Sequence, residues 1–154
     1  MTNYITRIFL DTNIYIIGAA DRQSNEGQIL NQLGFWQKVE NSFEVVVSEA
    51  LLEEISRVAK RLRHKDWSGE LIGRIFQNLN VHYVFLHGQD FEELEAKAIP
   101  REDIKVYLTA KSGQARYFIS ANHELICSLV EDTQEFECMT PGDFVASHLV
   151  GNSD

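Results

Sequence analysis

The sequence predicts an α/β protein, a central parallel sheet of about five strands covered on both faces by helices. Two observations carry this. Short apolar runs, rich in β-branched and aromatic residues, alternate with longer helix-like stretches from one end of the chain to the other. Strands joined through helices are crossover-connected and therefore parallel. Several runs, such as Ile8-Phe9-Leu10 and Val45-Val46-Val47, are also continuously apolar, as strands buried on both faces are.

The elements follow in order. Ile5 to Leu10 reads as the first strand, ending abruptly at Asp11. A short helix is expected from Thr12 or Asn13 to Ala20, then a polar turn from Asp21 to Gly27. Ile29, Leu30, Leu33, Phe35, Trp36 and Val39 predict a helix over Gln28 to Val39. Phe43 to Val47 is a second strand. Ser48 is a natural cap for the clearest helix, Glu49 to Arg63, with Leu51, Leu52, Ile55, Val58, Ala59 and Leu62 as its buried stripe. Asp66 is expected to cap a helix from Trp67 to Leu79. Val81 to Leu86 is the third strand, with a loop and a short helix to Ala98 after it. A helix opening at Pro100 to Asp103 runs to Lys111, with Gly113 ending it. Tyr117 to Ser120 is the fourth strand, Asn122 to Leu129 a short helix, and Phe136 to Met139 an edge strand. Thr140 caps a last helix with Pro141 in its first turn. No repeat or linker interrupts the pattern, so residues 1–150 are read as one domain and 151–154 as a tail.

The bulk properties narrow the function. The chain has 154 residues, 44% apolar and 24% charged, which suits one ordinary globular domain with a real core. Its longest apolar run, Ile14 to Ala20, is too short to span a bilayer, so no membrane role is expected. The N-terminus lacks a secretory pattern, and Cys127 and Cys138 have no metal-type spacing. They are expected to be reduced thiols in a cytoplasmic protein. A formal net charge of −9 argues against a general nucleic-acid coating protein. It leaves room for an enzyme that meets nucleic acid through the local basic run Arg57 to Lys65, and it suits a basic protein partner.

Carboxylates recur in one setting. Asp11 ends strand one, where ligands bind in open parallel sheets. Glu54 lies near the second turn of the helix after strand two. Asp103 sits in the first turn of the helix before strand four, and Asn122 follows that strand just past Ser120. If strands one and four are neighbours, these groups meet at one edge. Carboxylates that close repel unless a cation neutralises them, and hard divalent cations with oxygen ligands do so. Each group also has a structural reading. Asp11 caps the next helix, Glu54 is a solvated partner of Glu53, Asp103 offsets the helix dipole with Glu102, and Asn122 caps a helix. His123 is expected at the surface, and the basic run as a solvated face.

Together these residues resemble the PIN-domain ribonucleases, including the VapC-type toxins. Phe9-Leu10-Asp11-Thr12-Asn13 looks like the family's opening motif. Val46-Val47-Ser48 with Glu54-Ile55 looks like its second, Ile99-Pro100-Arg101-Glu102-Asp103 with Ala110 and Gly113 its third, and Tyr117 to Leu125 its fourth. Met139 to Phe144 resembles its closing strand and Thr-Pro helix start. The resemblance covers nearly the whole chain and implies a three-layer α/β/α fold and a metal-dependent endoribonuclease. It implies Asp11, Glu54 and Asp103 as catalytic and metal-binding carboxylates for Mg²⁺ or Mn²⁺. Thr12, Asn13 and Ser120 would be supporting polar groups. Apart from the resemblance, Arg57 and Arg61 of the basic run are the expected contacts to the RNA backbone. The resemblance further implies an antitoxin-like protein partner and a homodimer. Asn122 departs from the family's usual Asp: it remains a metal donor through its carbonyl but brings no charge. The alternative is a catalytically weakened module of the same fold that binds a protein partner or RNA. A third class, a phosphotransferase of the haloacid-dehalogenase type, wants a second Asp where this chain has Asn13.

Overall fold

The computed structural model describes residues 4–149. Five parallel strands form one sheet in the order β3-β2-β1-β4-β5, with helices on both faces in three layers. β1 (Thr6–Leu10) lies at the centre. It pairs on one side with β2 (Phe43–Ser48), Ile8 opposite Val45, and on the other with β4 (Tyr117–Ile119), Phe9 opposite Phe118 and Leu10 opposite Ile119. β3 (Val81–Val84) extends the sheet beyond β2, and β5 (Glu137–Met139) forms the other edge, as the sequence predicts.

The core follows from the apolar runs. Ile8, Phe9, Leu10, Val45, Val46, Val47, Phe118 and Ile119 are buried. The rings of Phe9, Phe118 and Phe136 stack in a row across β1 and β4 and beyond, with centroids 4.9 and 5.3 Å apart. Successive strand residues face opposite sides. Asp11 therefore continues the side that Phe9 begins.

α1 (Thr12–Ala20) starts directly at the end of β1. α2 (Asn25–Leu33) is shorter than the periodicity of Gln28 to Val39 predicts, and it begins earlier. Ser24 caps it, accepting from the Gly27 amide. Gly34 closes it with φ +93°, a left-handed turn that a side chain would resist, because a Cβ would also press on the Val39 amide at 2.8 Å. The apolar residues beyond Gly34 pack from a loop.

α3 (Glu49–Leu62) has the expected Ser48 cap on the Leu51 amide. Leu51, Ile55 and Ala59 form its buried line, but Leu62 is exposed. α4 (Lys65–Asn78) starts two residues early because His64, not Asp66, caps it: Nδ1 accepts from the Trp67 amide. α5 (Gly88–Glu95) is followed by α6 (Arg101–Ser112), α7 (Glu124–Leu129) and α8 (Pro141–Phe144), the last capped by Thr140 and continued by a wider π-helical turn over Val145–Leu149. The end of α6 lies against β2. Gly113 is required there, since a Cβ would stand 2.2 Å from Cγ1 of Val46.

The cysteines depart from expectation. Cys127 on α7 and Cys138 on β5 form a disulfide, with Cα atoms 5.9 Å apart, inside the range such bonds allow. The pairing arises from the crossover after α7, which returns the chain beside β4; linear spacing carries no trace of it. Among the described residues no helix is long and apolar enough to cross a membrane. The predicted tail, 151–154, lies outside the described residues.

Candidate active site

Asp11 occupies the carboxyl end of the central strand. Its amide donates to the carbonyl of Ile119 at 3.1 Å, so the backbone ladder with β4 continues through it. One carboxylate oxygen, Oδ1, accepts from the Thr12 amide at 2.9 Å, capping α1. The other, Oδ2, accepts from the Ser120 hydroxyl at 2.8 Å. The structural and functional readings of Asp11 therefore coexist: it is a helix cap with its second oxygen turned toward β4.

Thr12 is buried and donates from Oγ1 to Oε1 of Glu54 at 2.5 Å. That bond joins the helix after β2 to the end of β1 and places Glu54 beside Asp11. The Ser48 cap fixes where α3 begins. It is itself held to α6, because the buried hydroxyls of Ser48 and Thr109 lie 2.8 Å apart. Thr109 in turn donates to the Lys105 carbonyl at 2.7 Å. A chain of small polar contacts thus sets α3 and α6 in one relative position. Glu54 and Lys105 line a narrow cleft between these helices, floored by Phe9 and Thr109.

Asp103, in the first turn of α6, reaches the cluster through His123. The imidazole Nε2 is 3.5 Å from Asp11 Oδ2, and Nδ1 is 4.0 Å from Asp103 Oδ1. The His123 side chain is only 17% exposed, against the expectation of a surface residue. Its ring stands edge-on to Phe118, with centroids 5.6 Å apart. Asn122 is exposed, and its amide N–H donates to Oγ of Ser120 at 3.4 Å. Asn13 is exposed at the start of α1. Arg57 and Arg61 lie on the solvent side of α3, lining a cleft of about 570 Å³ with Glu53, Ser56 and Lys60. A cleft of about 550 Å³ beside the disulfide, between Arg116 and Glu137, contains none of the site carboxylates.

The structure therefore brings Asp11, Thr12, Glu54, Ser120 and Asp103 together, and adds His123 and Lys105. Lys105 has no linear signal, and His123 stands inside the fourth motif without a sign there that it turns inward. Lys105 belongs to the site only because α3 packs on α6, and His123 only because α7 starts after it. The donor set, three carboxylates around one sheet edge, has the oxygen chemistry that a hard divalent cation takes. Among the described residues no three His, Cys, Asp or Glu side chains are close enough as placed to hold an ion. The carboxylates meet pairwise, through Thr12 and through His123.

A family model described as a PIN domain matches residues 7–124. The chain belongs to the PIN-domain family. No curated protein matches it significantly. Solved structures share the PIN fold at low identity. VapBC-1 from nontypeable Haemophilus influenzae is 17% identical with a TM-score of 0.56, the match covering 89% of this chain and 99% of that one. DNA-bound VapBC from Salmonella typhimurium is 14% identical with a TM-score of 0.57, over 89% and 99%. VapBC2 from Rickettsia felis, bound to a fragment of its promoter, is 14% identical with a TM-score of 0.55, over 88% and 98%. The matched PIN segment runs from Arg7 to Glu124, and so includes Asp11, Glu54, Asp103 and His123.

Proposed function

We propose that this PIN-domain protein is a divalent-cation-dependent endoribonuclease, hydrolysing phosphodiester bonds in RNA as the toxin of a toxin–antitoxin pair in the cytoplasm. Residues 1–150 are its single nuclease domain in this reading. What supports it is a set of acids near the carboxyl edge of a parallel sheet, Glu54 bonded to Thr12 next to Asp11 and Asp103 facing the His123 that pairs with Asp11, in a chain of this family.

In this reading Asp11, Glu54 and Asp103 hold Mg²⁺ or Mn²⁺, with the Asn122 amide oxygen as a neutral fourth donor. The bound cation supplies Lewis acidity toward water and toward the phosphate oxygens. The chain's residues supply position. Ser120 and the Thr12 amide each hold one oxygen of Asp11, which fixes the plane of that carboxylate. Thr12 holds one oxygen of Glu54 and leaves the other free to face the substrate. Asn13, exposed one residue beyond Thr12, is a supporting polar group that orients a carboxylate or a bound water. Arg57 and Arg61 attract the RNA backbone from the exposed face of α3. The net charge of −9 suits a basic antitoxin surface, and the three solved neighbours are themselves VapBC assemblies. A homodimer is part of the same proposal.

One observation favours a second reading, a weakened module that binds a protein partner or RNA: Asn122 is neutral and exposed where the family usually carries an acid. The deciding experiment is cleavage of a mixed RNA pool with Mn²⁺, with Mg²⁺ and with chelator, beside Asp11→Asn. Metal-dependent cleavage that the variant lacks supports the nuclease. No cleavage by folded wild type with either metal refutes it and favours the binding module.

A further inference from the structure

We propose that the Cys127–Cys138 disulfide is a reversible redox latch on the site. Oxidised, it fastens α7 to β5 and so seats His123 between Asp11 and Asp103. Reduced, it releases α7 and that seat. The proposal concerns where His123 sits, and it stands whether or not the chain cleaves RNA.

The bond grips His123 from two sides. On one side, the Cys127 amide donates to the His123 carbonyl at 3.1 Å, closing the first turn of α7 on the residue before it. On the other, Cys138 stands opposite Phe118 in the pairing of β5 with β4, and the Phe118 ring is the surface that the His123 imidazole meets edge-on. The disulfide therefore ties the helix that follows His123 to the strand beside the ring that supports it. α7 has little else to hold it. It has six residues, well short of the roughly 12–15 at which even an isolated helix becomes marginal in water. Ile126 is the one of the six that is buried, and the N-terminus takes no side-chain cap. A segment with few buried contacts opens at a low free energy. A cross-link opposes that opening by restricting the open chain.

The latch is also within reach. Both cysteines are half-buried and line the cleft of about 550 Å³ beside Arg116 and Glu137, so a small thiol can approach the sulfurs. Exposed disulfides are the labile ones. The reductant is a dithiol, carried by a small molecule or by a protein. One of its thiolates attacks one sulfur of the pair, the S–S bond breaks, and the other cysteine leaves as a thiolate that takes up a proton. The second thiolate of the dithiol then attacks the mixed disulfide and expels the remaining cysteine, which is protonated in turn. The dithiol ends as a disulfide, and its two electrons and two protons reside on Cys127 and Cys138. A disulfide reagent runs the same steps backwards.

The test is hydrogen–deuterium exchange on the full chain, oxidised and after dithiothreitol, with intact mass after thiol alkylation reporting the redox state. Amides of Glu124–Leu129, that of Cys127 above all, should exchange about tenfold faster or more after reduction, at times when the Asp11 amide still keeps its proton. The nuclear Overhauser contact between the His123 and Phe118 rings should be lost, while that between Phe9 and Phe118 persists. Reoxidation should restore both, and the Cys127→Ser, Cys138→Ser double variant should match reduced wild type and ignore dithiothreitol. The wild-type comparison needs no variant at all. Exchange in α7 that agrees within about threefold between the two redox states, or a His123–Phe118 contact retained after reduction, overturns the latch. So does α7 exchange that quickens only in step with Asp11, which marks a global loss of stability. Cysteines that stay open to alkylation under oxidant overturn it as well.

Discussion

Gly113→Ala tests how α6, and with it Asp103, is seated on the sheet. A Cβ at position 113 would lie 2.2 Å from Cγ1 of Val46, 2.8 Å from Cγ2 and 3.1 Å from Cβ. Ordinary contact begins near 3.4 Å, so the nearest methyl must retreat by about 1.2 Å. Val46 is fully buried in β2 between paired strands, and it has no room to do so without moving backbone. Overpacking costs about 1–3 kcal/mol, and an approach of 2.2 Å to a buried methyl puts this one at the upper end of that range. The backbone at Gly113 is right-handed helical, with φ −81°. Alanine is therefore not strained there, and it recovers about 0.4–1 kcal/mol from the unfolded chain. The net expectation is a loss of about 2 kcal/mol. Val46→Ala alone removes two buried methyls and leaves a cavity, a loss of roughly 2–3 kcal/mol. In the double variant the new methyl occupies the vacated space, so the combined loss should stay near 2–3 kcal/mol instead of about 4–5, a coupling of about 2 kcal/mol. Urea unfolding followed by far-UV circular dichroism and tryptophan fluorescence measures all four corners. Strict additivity, or a Gly113→Ala variant within about 0.5 kcal/mol of wild type, refutes the reasoning.

Four further outcomes are expected. The Tyr15 hydroxyl is buried without a hydrogen-bond partner among the described residues, so Tyr15→Phe should be neutral or stabilising by up to about 1 kcal/mol; a loss above that in urea unfolding would show a hidden partner. The phenols of Tyr15 and Tyr107 are both pushed up, by burial first and at Tyr107 also by the Glu135 carboxylate it donates to. The folded state then keeps these protons longer than the unfolded state, so stability is whole below about pH 10 and falls as pH rises beyond it; a flat alkaline limb in chemical unfolding contradicts this. Reducing the Cys127–Cys138 bond, which spans 11 residues, should cost about 2–3 kcal/mol, and the Cys127→Ser, Cys138→Ser double variant should match reduced wild type in thermal unfolding. Thr12→Val removes the donor to Glu54 while keeping shape, and Mn²⁺ affinity measured by calorimetry should drop about tenfold; unchanged affinity would detach Glu54 from the site.

Fold and site were legible to different depths. The strands were readable because burial on both faces demands continuous apolar runs, and Val45-Val46-Val47 fits only a central position. Helix boundaries were less so, for reasons particular to each. Gly34 outranked the apolar periodicity that continues to Val39, since a left-handed turn ends a helix whatever follows. His64 displaced Asp66 as a cap, because its ring nitrogen accepts from the Trp67 amide and starts the helix two residues earlier. Asp11, Glu54 and Asp103 were found from their places relative to strand ends, which topology turns into proximity. His123 was misplaced at the surface: its inward orientation depends on α7 starting at Glu124, a residue or two later than the sequence suggests. The disulfide was invisible for a related reason, since it joins elements that a crossover brings together.

The centre of the sheet has a consequence for how the site breathes. Asp11 is backbone-bonded to β4 and continues a strand that is paired on both sides. Its amide should exchange with deuterium only through global unfolding. Asp103 and His123 ride instead on helix starts flanked by solvent-facing loops, which open at far lower cost. One half of the site is as permanent as the fold. Amides at the starts of α6 and α7 are expected to exchange earlier, through local opening.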